Sequence, residues 1–197
     1  MTAQIKQFSC PGCGAPVSIS ARECEFCHGP IIITTFRRVG IMLPDEITKY
    51  ATAYKNSLAS GTATPELSNS LAMCYLKLRL YAKALQCFET AISGNIDNSE
   101  SYFYAAVCLL GGKKAFMATR ETIDKIEEYV NAAIMIEPRG IFYYFLAYIK
   151  YDYFFRKHFK TSPAYGEVLR MASAAGYSRD DVEQLFFVLA VEKPSVL

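Results

Sequence analysis

Histidine is scarce in this chain: two residues, His28 and His158, among 197. They sit in unrelated settings, which leaves acid–base chemistry without its commonest group. No GxSxG, GxGxxG or phosphate-loop pattern occurs. Gly111-Gly112-Lys113-Lys114 lacks both the glycine spacing and the Ser/Thr of a phosphate loop. The acids Glu127-Glu128 and Asp180-Asp181 are sequence neighbours on helical stretches, where adjacent side chains do not face a common point. The chain is therefore expected not to be an enzyme. Long runs of one charge are also missing, and a formal charge of +2 argues weakly for nucleic acid. The longest apolar run, Gly140 to Ile149, meets Lys150 and Asp152 well before the ~20 residues that span a bilayer. The opening residues, MTAQIKQFSC, lack the apolar core of a secretory signal.

What is present is a globular composition, 52% apolar or aromatic and 20% charged. Seven cysteines without a secretory signal point to a reducing compartment, so a cytoplasmic location is expected. Cys74, Cys87 and Cys108 fall in helical patterns, where free cysteine behaves as a small buried hydrophobe. The other four are packed into the first 27 residues.

Those four read CPGCGAPVSISARECEFC from Cys10 to Cys27, two CxxC pairs with ten residues between them. Each CxxC sets two thiolates on one tight turn, and two such turns close a tetrahedral site. Lys6 to Phe8, Val17 to Ile19 and Ile31 to Phe36 are β-prone runs around them. The stretch resembles the small zinc-ribbon family, whose paired knuckles sit on β-hairpins, over about residues 5–38. One Zn2+ held by Cys10, Cys13, Cys24 and Cys27 is expected. Four cysteines leave no open position for a catalytic water, so the zinc is read as structural. A ribbon this short needs the metal to fold. Cys24 to His28 also fits the CxxCH pattern of haem attachment, but that reading leaves Cys10 and Cys13 without a role. A redox dithiol likewise uses one pair, not two. His28 is weighed as a substitute ligand and set aside, because four sulfurs suffice.

The remaining length is dominated by helical periodicity. Leu71, Ala72 and Tyr75 recur as Ala105, Ala106 and Leu109, each a step of 34 residues. Thr64-Pro65-Glu66 and Ser99-Glu100 are helix starts with a cap and an acid in the first turn. In the second helix of the first unit stand Ala84, Phe88 and Ala91. These residues resemble the tetratricopeptide (TPR) repeat, with Ile96 in place of the usual final proline. After Gly111-Gly112 the register slips by seven residues, and one offset then aligns both Tyr129 and Tyr143. An insertion over roughly Gly111 to Arg120 is expected as a loop. From Phe142 to Phe159 aromatic residues go nearly all the way round a helix, which is therefore buried or covers something. Ser162-Pro163 and Ser178 start the last two helices, the final one a solubilising cap.

The expected fold is thus mainly α, a TPR-like array of about eight helices behind a small β zinc ribbon. The expected boundaries are 1–38 for the ribbon, 39–64 for a linker and half-repeat helix, and 65–197 for the repeats. The resemblance implies a groove lined by the first helix of each pair. Its residues here are Met73, Leu76, Phe103, Val107, Tyr144, Tyr148 and Tyr151. It lacks the basic set with which some TPR proteins grip a carboxylate, and suits an apolar helix or strand of a protein partner. The competing reading is that the last helix or the 37–64 segment folds over these residues, or that they are simply inter-helix core. Arg37 and Arg38 beside Phe36 form the one cluster suited to nucleic acid. A non-enzymatic adaptor or assembly subunit, open to homo-oligomerisation, is expected ahead of a nucleic-acid-associated regulator.

Overall fold

The computed structural model describes residues 7–18, 21–61 and 63–197. Lys6 and Ile19, expected at strand ends, lie outside the described residues. The chain divides into two compact units, Met1–Ile96 and Asp97–Leu197. Helices dominate, nine α-helices among the described residues, with a two-stranded sheet near the N-terminus. No helix among them is long and apolar enough to cross a membrane.

In the first unit β1 (Gln7–Ser9) and β2 (Pro16–Ser18) pair antiparallel, Phe8 opposite Val17. Helix α1 (Phe36–Gly40) follows, then α2 (Pro44–Ala59), α3 (Pro65–Lys77) and α4 (Tyr81–Gly94). Helix α2 buries Ile47, Tyr50, Ala51 and Tyr54, the i, i+3, i+4, i+7 stripe of an amphipathic helix. Helix α3 is capped by Thr64, whose hydroxyl accepts from the Leu67 amide. It is flanked by α1, α2 and α4, and eight successive residues from Leu67 to Cys74 are buried. Its pairing with α4 is close: a Cβ at Gly94 would lie 2.5 Å from the Pro65 ring.

The run Ile31 to Phe36, expected as a strand, is irregular and leads into α1. Its backbone groups are satisfied by α3 rather than by a ladder. The Ile33 amide donates to Ser70 Oγ at 2.9 Å, and its carbonyl accepts from Asn69 Nδ2 at 3.2 Å. Ile31 and Ile33 are fully buried, and the Ile31 carbonyl accepts from the Tyr54 hydroxyl at 3.0 Å. Backbone polar groups buried this way need a partner of some kind, and side chains supply it here.

In the second unit α5 (Ser99–Leu109) packs on α6 (Arg120–Ile136), and α6 on α7 (Gly140–Ile149). Between α5 and α6 the expected insertion is a loop with a 3-10 turn at Ala115–Met117. Helix α7 runs directly into a π-helical segment, Lys150–Phe155, then α8 (Tyr165–Ala175) folds back along α7. That return is tight, because a Cβ on Gly140 would lie 2.2 Å from the Gly176 carbonyl oxygen. Helix α8 starts two residues after Pro163, with Glu167 capping the Ala164 amide at 2.8 Å. Helix α9 (Arg179–Leu189), capped by Ser178, lies against both α5 and α7. Phe186 of α9 meets Tyr148 edge-on at a centroid distance of 5.4 Å, and Gln184 donates to the Tyr104 hydroxyl.

Candidate metal centre

The four N-terminal cysteines converge: their sulfurs all lie within 4.8 Å of one another. Cys10 and Cys27 are 3.6 Å apart, and Cys13 and Cys24 3.7 Å. A disulfide would bring two sulfurs to ~2 Å. A tetrahedral Zn–S4 group with bonds near 2.3 Å has edges of about 3.8 Å. The donor set and its spacing therefore fit a metal ion such as zinc. Cys10 and Cys24 are buried, and Cys13 and Cys27 face outward.

Two copies of one turn build this site. In the first, the Gly14 amide donates to the Cys10 carbonyl and the Cys10 amide to the Ala15 carbonyl. In the second, His28 donates to Cys24 and Cys24 to Gly29 in the same way. The flanking pairs match too, Ser9 opposite Pro16 and Glu23 opposite Pro30. The relation is written in the sequence as CPGCGAP against CEFCHGP, a 14-residue offset shared by both cysteines of each turn and by Pro16 and Pro30. The fifth residue of each turn is left-handed, φ 81° at Gly14 and 56° at His28. His28 thus holds the turn position that glycine fills in the first copy, and it is not part of the sulfur cluster.

Backbone amides face the sulfurs as well as shaping the turns. Burial pushes the Cys10 thiol up to about 12, whereas at Cys24 burial is outweighed by the amides of Cys27 and Phe26, with the Cys10 and Cys13 sulfurs, which bring the thiol to about 7. Thiolate is the form that ligates metal. One helix outside the knuckles reaches the site. The Tyr50 hydroxyl sits between the two turns: a Cβ on Gly29 would lie 2.5 Å from it and 3.4 Å from Cys27 Sγ. On Gly12 the same distances would be 3.1 and 3.3 Å. Lys49, its neighbour on α2, donates to the Gly12 carbonyl. Burial first, and then the Cys10 and Cys27 sulfurs, raise the Tyr50 hydroxyl well above its ordinary value, so it stays protonated. Its inward face on α2 was readable from periodicity; its position beside the sulfurs was not.

The residues expected to line a groove are placed differently from an open channel. Met73, Leu76, Phe103, Val107, Tyr144 and Tyr148 are all buried, and Tyr151 is half-buried. In the first unit residues 33–40 run along the stripe of α3 that carries Met73 and Leu76. They are tied at one end by Asn69 and Ser70, and at the other by Lys77 donating to the Gly40 carbonyl at 2.7 Å. In the second unit Tyr144 and Tyr148 meet Phe186 of α9. The Tyr144 hydroxyl also donates to the Leu197 carbonyl at 3.1 Å. Phe103 packs on Phe142 and Phe145. Residues 33–40, α9 and the neighbouring rings of α7 are what these side chains meet.

Arg37 and Arg38 are exposed on α1, and Arg38 pairs with Glu23 at 3.2 Å. Cys74 and Cys108 are buried and Cys87 is half-buried, with burial pushing Cys74 up to about 12 and Cys87 up to about 11. No protein-family model matches this chain, and a search of the curated proteins finds no match either.

Proposed function

We propose that the chain is a non-enzymatic adaptor or assembly subunit that binds a protein partner, with a single structural Zn2+ in the four-cysteine site. The observation that carries this reading is the pairing of consecutive helices, α3 on α4 in the first unit and α5 on α6 and α7 on α8 in the second, with the cysteine turns seated on α2 within the first unit. Such a series is the TPR-like arrangement that the 34-residue step resembles, and arrays of this kind hold partners. Met73, Leu76, Phe103, Val107, Tyr144 and Tyr148 are buried within the chain, and exposed apolar side chains offer the partner a further surface. Ile41 and Leu43, flanking the turn into α2, are 82% and 71% exposed. Large aliphatic side chains set side by side in solvent are a mark of protein contact.

The test is affinity capture followed by mass spectrometry, run in parallel on the native chain and on Ile41→Asp plus Leu43→Asp. A stoichiometric partner that the double variant loses, with its circular dichroism and melting unchanged, supports the reading. Capture of nucleic acid that is lost with Arg37→Ala plus Arg38→Ala overturns it in favour of a regulator acting through the knuckles. Metal analysis belongs to the same experiment: one zinc per chain is expected, and none overturns the structural assignment.

A further inference from the structure

The two departures from repeat spacing, the insertion after Gly111 and the aromatic segment after α7, come together in the second unit. The Phe116 amide donates to Asp152 Oδ2 at 2.8 Å, and the Ala115 amide to the Tyr148 hydroxyl at 3.3 Å. Arg156 and Lys157 lie over the Phe116 ring at 4.7 and 5.0 Å. Lys157 also lies 4.0 Å over Tyr153, which meets Phe159 at 5.9 Å. A continuous surface results, with Met117 70%, Phe159 50% and Phe116 39% exposed.

Charge is concentrated here in a way the linear sequence conceals. Residues 111–120 and 150–160 hold seven lysines and arginines and one acid, Asp152, a formal +6. The whole chain carries +2, so the rest carries −4. Of the seven, Lys150 is buried against Glu127 at 2.6 Å, Arg120 pairs with Asp124 and Arg156 with Asp152, which leaves four lysines: Lys113, Lys114 and Lys160 are exposed and Lys157 is half-buried. Neither segment is a long basic run. The bonds from Phe116 and Ala115 and the cations over the Phe116 ring bring the two segments together.

We infer that this surface docks on an anionic phospholipid bilayer, Met117, Phe116 and Phe159 entering the interfacial layer while Lys113, Lys114 and Lys160 face lipid phosphates. Apolar side chains combined with a basic patch are the two signals that peripheral attachment requires. Single-stranded nucleic acid fits less well, because bases stack on open aromatic faces. Here the face of Phe116 is taken by Arg156 and Lys157, and that of Tyr153 by Lys157. Met117, the most exposed of the three, adds a flexible thioether.

The experiment is co-sedimentation of the full, metal-loaded chain with vesicles of phosphatidylcholine and phosphatidylserine, against phosphatidylcholine alone. Binding is expected only to the mixed vesicles, weakening as salt shortens the screening length. Each Lys or Arg near an anionic leaflet is worth about fivefold in affinity, so Lys113→Ala plus Lys114→Ala should lose about 25-fold. Met117→Ser should weaken binding without altering its salt dependence. Arg37→Ala plus Arg38→Ala, in the other unit, should change nothing. Equal sedimentation with both vesicle types, an equal loss from the Arg37/Arg38 variant, or no binding to either vesicle overturns the inference. So does tighter binding of a labelled oligouridine than of the mixed vesicles, which would assign the patch to nucleic acid.

Discussion

At the scale of single residues, the metal centre separates side chains that ligate from side chains that shape. His28 is the instructive case. A histidine after CxxC invites a ligand or haem reading, yet its φ of 56° marks it as the turn residue that Gly14 supplies in the first copy. His28→Gly should therefore keep full metal stoichiometry and leave melting temperature unchanged or raised, since glycine takes that conformation without the steric cost. Loss of metal in this variant would make the imidazole a ligand. Tyr50 tests the opposite role. Its hydroxyl is wedged between Gly12 and Gly29 beside Cys27. Tyr50→Phe should fold, but yield its metal to a competing chelator with about tenfold lower affinity, at the low end for residues that support a ligand shell.

At the scale of elements, the π-helical segment turns an ordinary helix end into a joint. Four of its six residues, Lys150, Asp152, Tyr153 and Phe154, are buried. Bonds reaching five residues back, Arg156 to Tyr151 and Phe159 to Phe154, widen the turn enough for those four to point inward. Asp152 is 2% exposed and accepts from the Phe116 amide while pairing with Arg156. Asp152→Asn should cost about 2–3 kcal/mol, the worth of hydrogen bonds to a charged group. Hydrogen exchange should show it as lost protection at Phe116 and its neighbours, with α5 and α6 unaffected.

The elements also show where sequence reading stops. Helices α2, α3, α5 and α9 were legible because caps and a 3.6-residue stripe mark them, and the four cysteines because CxxC pairs are specific. Helix α1 has five residues, too few to establish a period. Ile31 to Phe36 looks like a strand because buried β-branched residues look alike whether a strand or a helix's side chains satisfy their backbone. Met73, Leu76, Tyr144 and Tyr148 are buried on α3 and α7. A stripe of apolar residues reports that a face is covered, and it is silent on whether a partner, residues 33–40 or α9 covers it.

At the scale of the whole molecule, two compact units divide the chain at Ile96 and Asp97, and the four cysteines belong to the first alone. Metal removal should therefore act on one half of the sequence. Hydrogen exchange on the full chain, with and without chelator, is expected to lose protection across residues 7–96 while residues 97–197 keep theirs. A uniform loss would mean that the two units unfold as one cooperative body.

The tie between the knuckles and α3 has a bearing on synthesis. Ile33 relies on Asn69 and Ser70, and Gly12 on Lys49, in each case a partner 36 or 37 residues further along the chain. At translation rates of 5–20 residues per second, the knuckles precede those partners by roughly 2–7 seconds. During that interval Ile33 has no helix to cover it, and the four thiols, complete at Cys27, stand without Tyr50 until 23 further residues are made. Metal delivered early would hold the nascent segment in shape until α2 and α3 arrive; metal delivered late would meet thiols that have had seconds in which to oxidise.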